Sequence, residues 1–274
     1  MANKLSVYII TKDCEDTIRA CLESVKWVDE IVIVDSGSKD NTIKIAKEYT
    51  SKIYIREWPG FRVQYQYAQD HTDNLWVFFI DSDEELSSEL IDEIKSVMTQ
   101  DEIPYDAFKI KRLNFFLGRW IRFGGWGSDE VIRLYRKDKG RWEGGGLGGL
   151  HALVKVKGRV GKLKHHILHY PYKDLSEQMK TIEDYSTTAA LDMQDTSKSL
   201  AIFKMVFHPF FRFLKEYIFK QGFRDGIPGL IIAVMTMFYV FVKYAKVWEI
   251  KMGFKENSII RVKDKNFDKK IKVK

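Results

Sequence analysis

Cysteine is scarce: Cys14 and Cys21 are the only two in 274 residues. They sit seven positions apart in what reads as one helix and its cap, a spacing that makes neither a disulfide framework nor a zinc site. A reducing, cytoplasmic setting is the expectation. Met1-Ala2-Asn3-Lys4 runs straight into a strand pattern with no apolar leader and cleavage site, so secretion is not expected. Proline is also rare, five residues in all, and the composition argues against wholesale disorder, a collagen-like fibre and a coiled-coil rod. The uncharged stretch 227–242 falls short of the roughly 20 residues that a helix needs to span a bilayer. There is no P-loop lysine, no dinucleotide fingerprint and no G-x-S-x-G elbow. Helix-turn-helix, zinc-finger and RNA-binding signatures are missing too, so nucleic acid is not an expected partner.

What remains is a chain with enough apolar material for one large core or two small ones, 45% hydrophobic and 30% charged. Its net charge of +7 is concentrated at the end, where residues 251–274 carry nine Lys or Arg against three Asp or Glu. Just before this tail, Phe203, Phe207, Phe210, Phe211, Phe213, Tyr217 and Phe219 are interleaved with Lys204, His208, Arg212, Lys215 and Lys220. Apolar mass beside cations suits an anionic membrane surface, with peripheral attachment rather than a span. Packing inside a small helical domain, or against a second subunit in a homo-oligomer, are the other readings.

The first hundred residues alternate between two periodicities. Leu5–Ile10, Glu30–Val34, Lys52–Ile55 and Leu75–Ile80 are short apolar runs that predict strands. Ile18, Leu22 and Val25 recur at helical spacing, and further helices are predicted around 43–46 and 61–71. Continuous apolar strands separated by helices predict a doubly wound α/β domain, its sheet mostly parallel and covered on both faces. From 105 to 170 the pattern is less regular. Strands are predicted at 107–110, 131–135, 153–156 and 167–170, and a loop with five glycines in seven residues spans 143–149. From Asp174 onward the pattern is helical. The expected organisation is therefore an α/β domain over 1–172, a helical aromatic-basic region over 173–250 and a basic tail over 251–274.

The sharpest chemical signal is Asp81-Ser82-Asp83, directly after the fourth apolar run. Parallel sheets bind ligands at the carboxyl ends of their strands. Two carboxylates one residue apart on such a turn suit Mg²⁺ or Mn²⁺ shared with a diphosphate. A solvated acidic turn or a helix cap is the plain alternative. Asp35 stands at another strand end, where it would bind a base or ribose, or else cap the Asp-Ser-Gly turn it begins. Thr11 would line the same crevice. His165, His166 and His169 fall in or beside one predicted strand, and no cysteine accompanies them to complete a metal set.

Longer segments add a resemblance. LSVYIITK at 5–12, CLESVKWVDEIVIVDSGSKDNT at 21–42, WPGF at 58–61 and FIDSDEELS at 79–87 begin the series. FLGRWIRFGGW at 116–126, VIRLYRK at 131–137, LHYPY at 168–172 and the basic-aromatic helices at 203–250 continue it. In these the chain resembles the inverting glycosyltransferases of family 2, with the GT-A fold, and among them bacterial lipopolysaccharide-core heptose β-glucosyltransferases. The resemblance implies a UDP-sugar donor, a divalent ion, and a glycolipid or glycan acceptor at the cytoplasmic membrane face. It implies that Asp35 reads the base, that Asp81 and Asp83 hold the ion, and that Thr11 and Gln64 lie on the donor side. Trp126, Asp129 and Arg133 match the acceptor-side segment.

Three departures stand out. Asp13-Cys14-Glu15 replaces the family's usual Asn-Glu-Glu, and Tyr65-Gln66 replaces Lys-Asn. His151-Ala152 replaces a His-Glu pair whose glutamate is the expected general base. Asp129, His151 and Glu143 are the residues left for that role. The alternative expectation is a catalytically impaired protein that binds sugar nucleotides, or serves in assembly, without a working base.

Overall fold

The computed structural model describes residues 3–144, 152–193 and 195–253. In its first half, strands β1 (Leu5–Thr11), β2 (Glu30–Asp35), β3 (Ile53–Ile55) and β4 (Trp76–Phe79) alternate with helices α1 (Ile18–Val25), α2 (Thr42–Ala46) and α3 (Phe61–Asp70). The four strands lie parallel in the order β3-β2-β1-β4. Every residue of β4 is buried, as its unbroken apolar run requires. Helix α1 buries Ile18, Cys21, Leu22 and Val25, the face that positions i, i+3, i+4 and i+7 share.

Beyond β4 the sheet becomes mixed. Strand β5 (Glu84–Leu86) and helix α4 (Ser88–Met98) lead into β6 (Ala107–Phe116), β7 (Arg119–Ile121) and β8 (Glu130–Arg136). The hairpin β9 (Gly140–Glu143) with β10 (Leu153–Val156) and the long β11 (Val160–His169) complete the strands. Strand β8 inserts between β4 and β6, antiparallel to both, and β11 then pairs parallel with β6 and antiparallel with β5. Parallel order therefore holds on one side of β4 and gives way on the other. The connection from β6 to β8 is taken up by β7, which folds back antiparallel on β6, and by a 3-10 turn at Trp126–Ser128, so no crossover helix forms there. The predicted strand at 153–156 forms, but pairs only with β9 in a separate two-stranded sheet.

Each face of the main sheet is covered. On one, α1 and α4 pack Leu22, Val25, Leu90 and Ile94 onto Val7, Ile9, Ile33 and Phe78. On the other, Tyr65 and Ala68 of α3 and Trp142 and Val154 of the hairpin pack onto Tyr8, Val32, Val77 and Phe79. The hydroxyl of Ser87 caps α4 by accepting from the Leu90 amide at 3.2 Å.

The C-terminal region is helical: α5 (Leu175–Leu191), α6 (Lys198–Leu214), a π-helical turn at Lys215–Phe219, a 3-10 turn at Gly222–Asp225, and α7 (Gly226–Lys251). Helix α7 outruns the uncharged stretch, passing Lys243 and Lys246 to reach 26 residues. It is long and apolar enough by composition to cross a membrane, yet it is also tied sideways. Lys246 bonds the Glu183 carbonyl at 2.9 Å and the Thr187 hydroxyl at 2.6 Å on α5. Gly229 sits so close to the Gly222 carbonyl that no Cβ would fit between them.

The two halves are stitched together. Asp225, fully buried, accepts from the amides of Arg122 at 3.1 Å and Phe123 at 2.8 Å. Ile232 of α7 joins Phe116 and Ile121 in a small core against Trp126 and Tyr172.

Candidate functional site

A cleft of about 1280 Å³ opens along the carboxyl ends of β1, β2 and β4. Thr11, Lys12 and Ser36 line one end, and Trp58, Phe61, Tyr65, Phe79 and Trp142 form an aromatic wall. Asp81, Ser82 and Asp83 stand centrally, and His169, Tyr172, Thr181 and Tyr185 close the far end. The last two come from α5, so the helical region contributes to the cleft.

At the first end, register sets Thr11 beside Asp35 as partners on β1 and β2. Asp35 is fully buried and fully used. It accepts from the Thr11 hydroxyl at 2.8 Å, the amides of Gly37 at 2.8 Å and Ser38 at 2.7 Å, and the Ser38 hydroxyl at 2.5 Å. This is the turn-capping arrangement, and it presents Thr11 and Ser36 to the cleft in front of the carboxylate. Gln64, buried on α3, donates to the Ser36 hydroxyl at 3.2 Å. Its Oε1 is buried without a hydrogen-bond partner among the described residues, an unfilled acceptor behind the same wall.

At the centre, Asp81 is clamped. Its Oδ1 accepts from the Tyr65 hydroxyl at 2.9 Å and its Oδ2 from Arg133 Nη2 at 2.8 Å. Burial would raise its carboxyl, but the Arg133 charge and hydrogen bond, helped by Arg112 and Tyr65, outweigh burial and hold it below the usual carboxylate range. Arg133 also donates to Glu84 Oε1 at 2.7 Å, with its guanidinium carbon 4.0 Å from the Phe79 ring centre. Glu84 takes a second cation, Arg112, at 3.2 Å, and Arg112 in turn pairs with Asp129 at 2.5 Å. An alternating row of charges thus runs Asp129, Arg112, Glu84, Arg133, Asp81. Glu84 and Arg133, whose side chains are 0% and 4% exposed, are the members most costly to leave unpaired.

Asp83 stands outside that row. Its side chain is 36% exposed and faces His169 Nε2 at 3.5 Å. Antiparallel pairing of β11 with β5 sets His169 opposite Glu84, and so beside Asp83. The other ring nitrogen, Nδ1, lies 2.6 Å from Asn114 Oδ1, which fixes the ring. Burial would lower the His169 pKa, but Asp83 and Glu84 outweigh burial and raise it above the usual imidazole value. Among the described residues no three His, Cys, Asp or Glu side chains converge as a complete metal cage. One oxygen and one nitrogen donor facing an open cleft nevertheless fit a divalent ion that keeps positions for water and phosphate.

The remaining expected residues fall as follows. Arg133 lines the cleft but is a buried counter-ion, only 3% exposed, and not a free cation for an acceptor. Trp126 packs edge-on against Phe116 and behind Tyr172, one layer back from the cleft. Asp129 is held by Arg112. Glu143 is on β9, paired with Lys155 at 2.7 Å. His151 lies outside the described residues, as does most of the tail over 251–274. Ala152 lines the cleft, so a methyl occupies the place where the resemblance implies a carboxylate.

Several site residues escape sequence reasoning. Glu84 and His169 lie within segments that carry the resemblance, but their roles depend on strand pairing across the sheet. Arg112 and Tyr185 belong to no motif at all.

Fold and cleft together define an α/β protein with a cleft at its strand carboxyl ends, where such sheets bind ligands. The chain belongs to glycosyl transferase family 2, whose model matches residues 6–153. An uncharacterized glycosyltransferase of Rickettsia typhi is 29% identical over 257 residues, covering 91% of this chain and 88% of the relative. The lipopolysaccharide core biosynthesis glycosyltransferase LpsC of Rhizobium meliloti is 29% identical over 252 residues, covering 89% and 92%. Among solved structures, S. aureus TarS 1–349 in complex with UDP-GlcNAc aligns at TM-score 0.46 and 16% identity, over 93% of this chain and 92% of that one. The protein is thus a glycosyltransferase, moving a sugar from a nucleotide-sugar donor, with a broad likeness to bacterial lipopolysaccharide-related sugar transferases.

Proposed function

We propose that this enzyme transfers a hexose, with glucose favoured, from a UDP-sugar to a lipopolysaccharide-core or other cell-surface glycolipid, with inversion at the anomeric carbon. The single observation carrying the proposal is the opening of Asp83 and His169 onto a cleft whose other end presents Thr11 and Ser36. That layout fits a nucleotide lying across the strand ends, with its diphosphate at the acids. Asp83 and His169 would hold Mg²⁺ or Mn²⁺, which when bound neutralises charge on the departing diphosphate. Asp81, fixed by Tyr65 and Arg133, sets the turn that aims Asp83. Thr11, Ser36 and Gln64 orient the nucleoside end. The acceptor hydroxyl attacks the anomeric carbon in line, the bond from that carbon to the UDP oxygen breaks, and a base takes the hydroxyl proton.

Asp83→Ala tests the reading directly. Calorimetric UDP affinity in the presence of Mn²⁺ is expected to fall at least tenfold and to lose its dependence on the metal. Unchanged affinity would sink the assignment.

A second reading rests on its own observation. Ala152 lines the cleft, Glu143 is paired with Lys155 and Asp129 with Arg112. This supports a slow transferase, or a sugar-nucleotide-binding protein without turnover, since a general base supplies about 10²-fold to 10⁴-fold in rate. Labelled product from UDP-glucose and extracted membrane glycolipid would rule out the non-catalytic form.

The enzyme works at the inner face of the bacterial cytoplasmic membrane in this proposal, held peripherally. Phe203, Val206, Phe207, Phe210 and Phe211 of α6 are exposed, and α7 behind them is only 22% buried over its most apolar stretch. Such a face, with Lys204 and Arg212 on the same helix, fits an anionic lipid surface.

A further inference from the structure

The cover on the α3 side of the main sheet is centred on β1, β2 and β4, whereas β6 and β11 present cations on that side. Phe108 and Ile110 of β6, with Leu163 and Ile167 of β11, join the core under α1 and α4. Lys109 and Lys111, the alternating residues of β6, therefore point the opposite way. Register extends them into two rows across three strands: Ile132, Lys109 and Lys162, then Glu130, Lys111 and His166. Lys109 and Lys162 are exposed, and Lys111 and His166 are half-buried.

These rows carry more positive charge than they balance. Lys109 and Lys162 are side by side at the strand spacing of about 5 Å, so their ammonium groups repel. Glu130 is the one acid in the rows. It accepts from Lys162, whose hydrogen bond holds its carboxyl below the usual range, with Lys109 and Lys111 adding to the effect. Lys109 and Lys111 have neither an ion pair nor a side-chain hydrogen bond among the described residues. At the other end, burial lowers the His166 pKa, and Lys111, His165 and the exposed Arg122 lower it further. Several cations answered by one carboxylate on an open sheet face attract an anion.

The rows begin inside the cleft, which Ile132, Lys109 and Glu130 line, and leave it sideways through Lys111, Lys162 and His166, which do not line it. A ligand that reacts in the cleft and continues past its rim crosses them. Given the reading of the cleft as a site for a UDP-sugar and a glycolipid, we propose that this open face of β8, β6 and β11 is an anion-binding surface outside the cleft. It holds phosphate groups on the far part of the acceptor, away from the sugar that reacts. Lysines suit phosphate as point charges. The donor diphosphate has its own place at Asp83 and His169, and a bilayer finds its exposed phenylalanines on α6 rather than here. The surface thus selects a phosphate-bearing acceptor over a neutral one with the same sugars.

The test uses the full chain and the double variant Lys111→Gln with Lys162→Gln. Both side chains reach solvent and neither lines the cleft, so melting temperature and UDP affinity with Mn²⁺ should stay close to wild type. Core oligosaccharide released from lipopolysaccharide is titrated calorimetrically, once with its phosphates intact and once after their removal. Wild type is expected to bind the intact form about 3–10-fold more tightly at low salt, and the variant to bind both forms equally weakly. The preference should fade as salt rises. Equal binding of the two forms by wild type, or an undiminished preference in the variant, overturns the inference. So does a parallel fall in UDP affinity, which would give the lysines to the donor. Loss of co-sedimentation with anionic vesicles at unchanged oligosaccharide binding would give them to the membrane, and overturns it too. Wild type that binds UDP but neither oligosaccharide also overturns it, while the donor reading stands. Wild type that prefers the phosphorylated oligosaccharide but binds no UDP sinks the sugar-nucleotide reading instead and leaves this surface standing.

Discussion

The two halves of this molecule treat apolar surface in opposite ways. Among the described residues, eight large apolar side chains are exposed on 3–172 and seventeen on 173–253, a segment half as long. In the α/β half the sheet is covered on both faces, and the long β1, β2 and β4 runs have nowhere to go but inside. In the helical half α6 packs along α7 on one side, and its opposite side shows phenylalanine to the outside. A hydrophobic residue count makes the helical half the richer one, with 42 of 81 residues against 72 of 170, but does not say where they lie. Only the packing reveals that one half folds around its apolar material while the other displays it, as a surface made for a partner does.

If the halves divide labour in this way, substitutions should separate stability from attachment. The largest effect is expected from Arg133→Met, which takes the shared cation from half-buried Asp81 and leaves fully buried Glu84 only Arg112. A loss of about 3–5 kcal/mol in urea unfolding is the expected cost, and a shift under about 1 kcal/mol would show that the charged row is not what holds the strand ends together. Leu22→Ala, in the core beneath α1, should cost about 2–5 kcal/mol by the same measurement while leaving vesicle binding intact. Phe210→Ser with Phe211→Ser should do the reverse. Their rings are 60% and 62% exposed, so the melting temperature should hold, while co-sedimentation with anionic vesicles drops by about tenfold or more. Equal loss of stability in both halves would erase the distinction. Removal of residues 251–274 should act most mildly, weakening vesicle binding several-fold at low ionic strength. The difference should fade towards 0.5 M salt, roughly where surface charges are screened; a salt-independent effect would mean the tail acts by something other than charge.

The chain's local patterns make much of the first half legible. Continuous apolar runs and helical spacing give the four parallel strands and α1 nearly residue for residue, because burial on both faces leaves period and length as the dominant constraint. Thr11, Asp81 and Asp83 follow from standing at strand ends. Asp35 is legible as a strand-end acid, but its choice between capping and presenting itself is set by the amides of Gly37 and Ser38, a three-residue geometry that composition does not encode. Legibility fails where sheet order departs from chain order. Strand β8 comes late yet lies beside β4, and this brings Arg133 under Asp81 and turns a presumed acceptor ligand into a counter-ion. His169 and Asp83 are 86 positions apart and meet only because β11 pairs with β5.

The amino-acid order alone determined the α/β class, the placement of acids after a buried strand and the basic-aromatic character of the C-terminal third, since each arises from neighbours within a few residues. Tertiary structure alone decided which of the acids is neutralised and which stays open. It also decided that a helix from the second half walls the cleft, and which side of α6 faces outward. Those outcomes depend on strands and helices distant in the chain coming to share one low-dielectric space, where a single cation within about 3 Å outweighs any local preference.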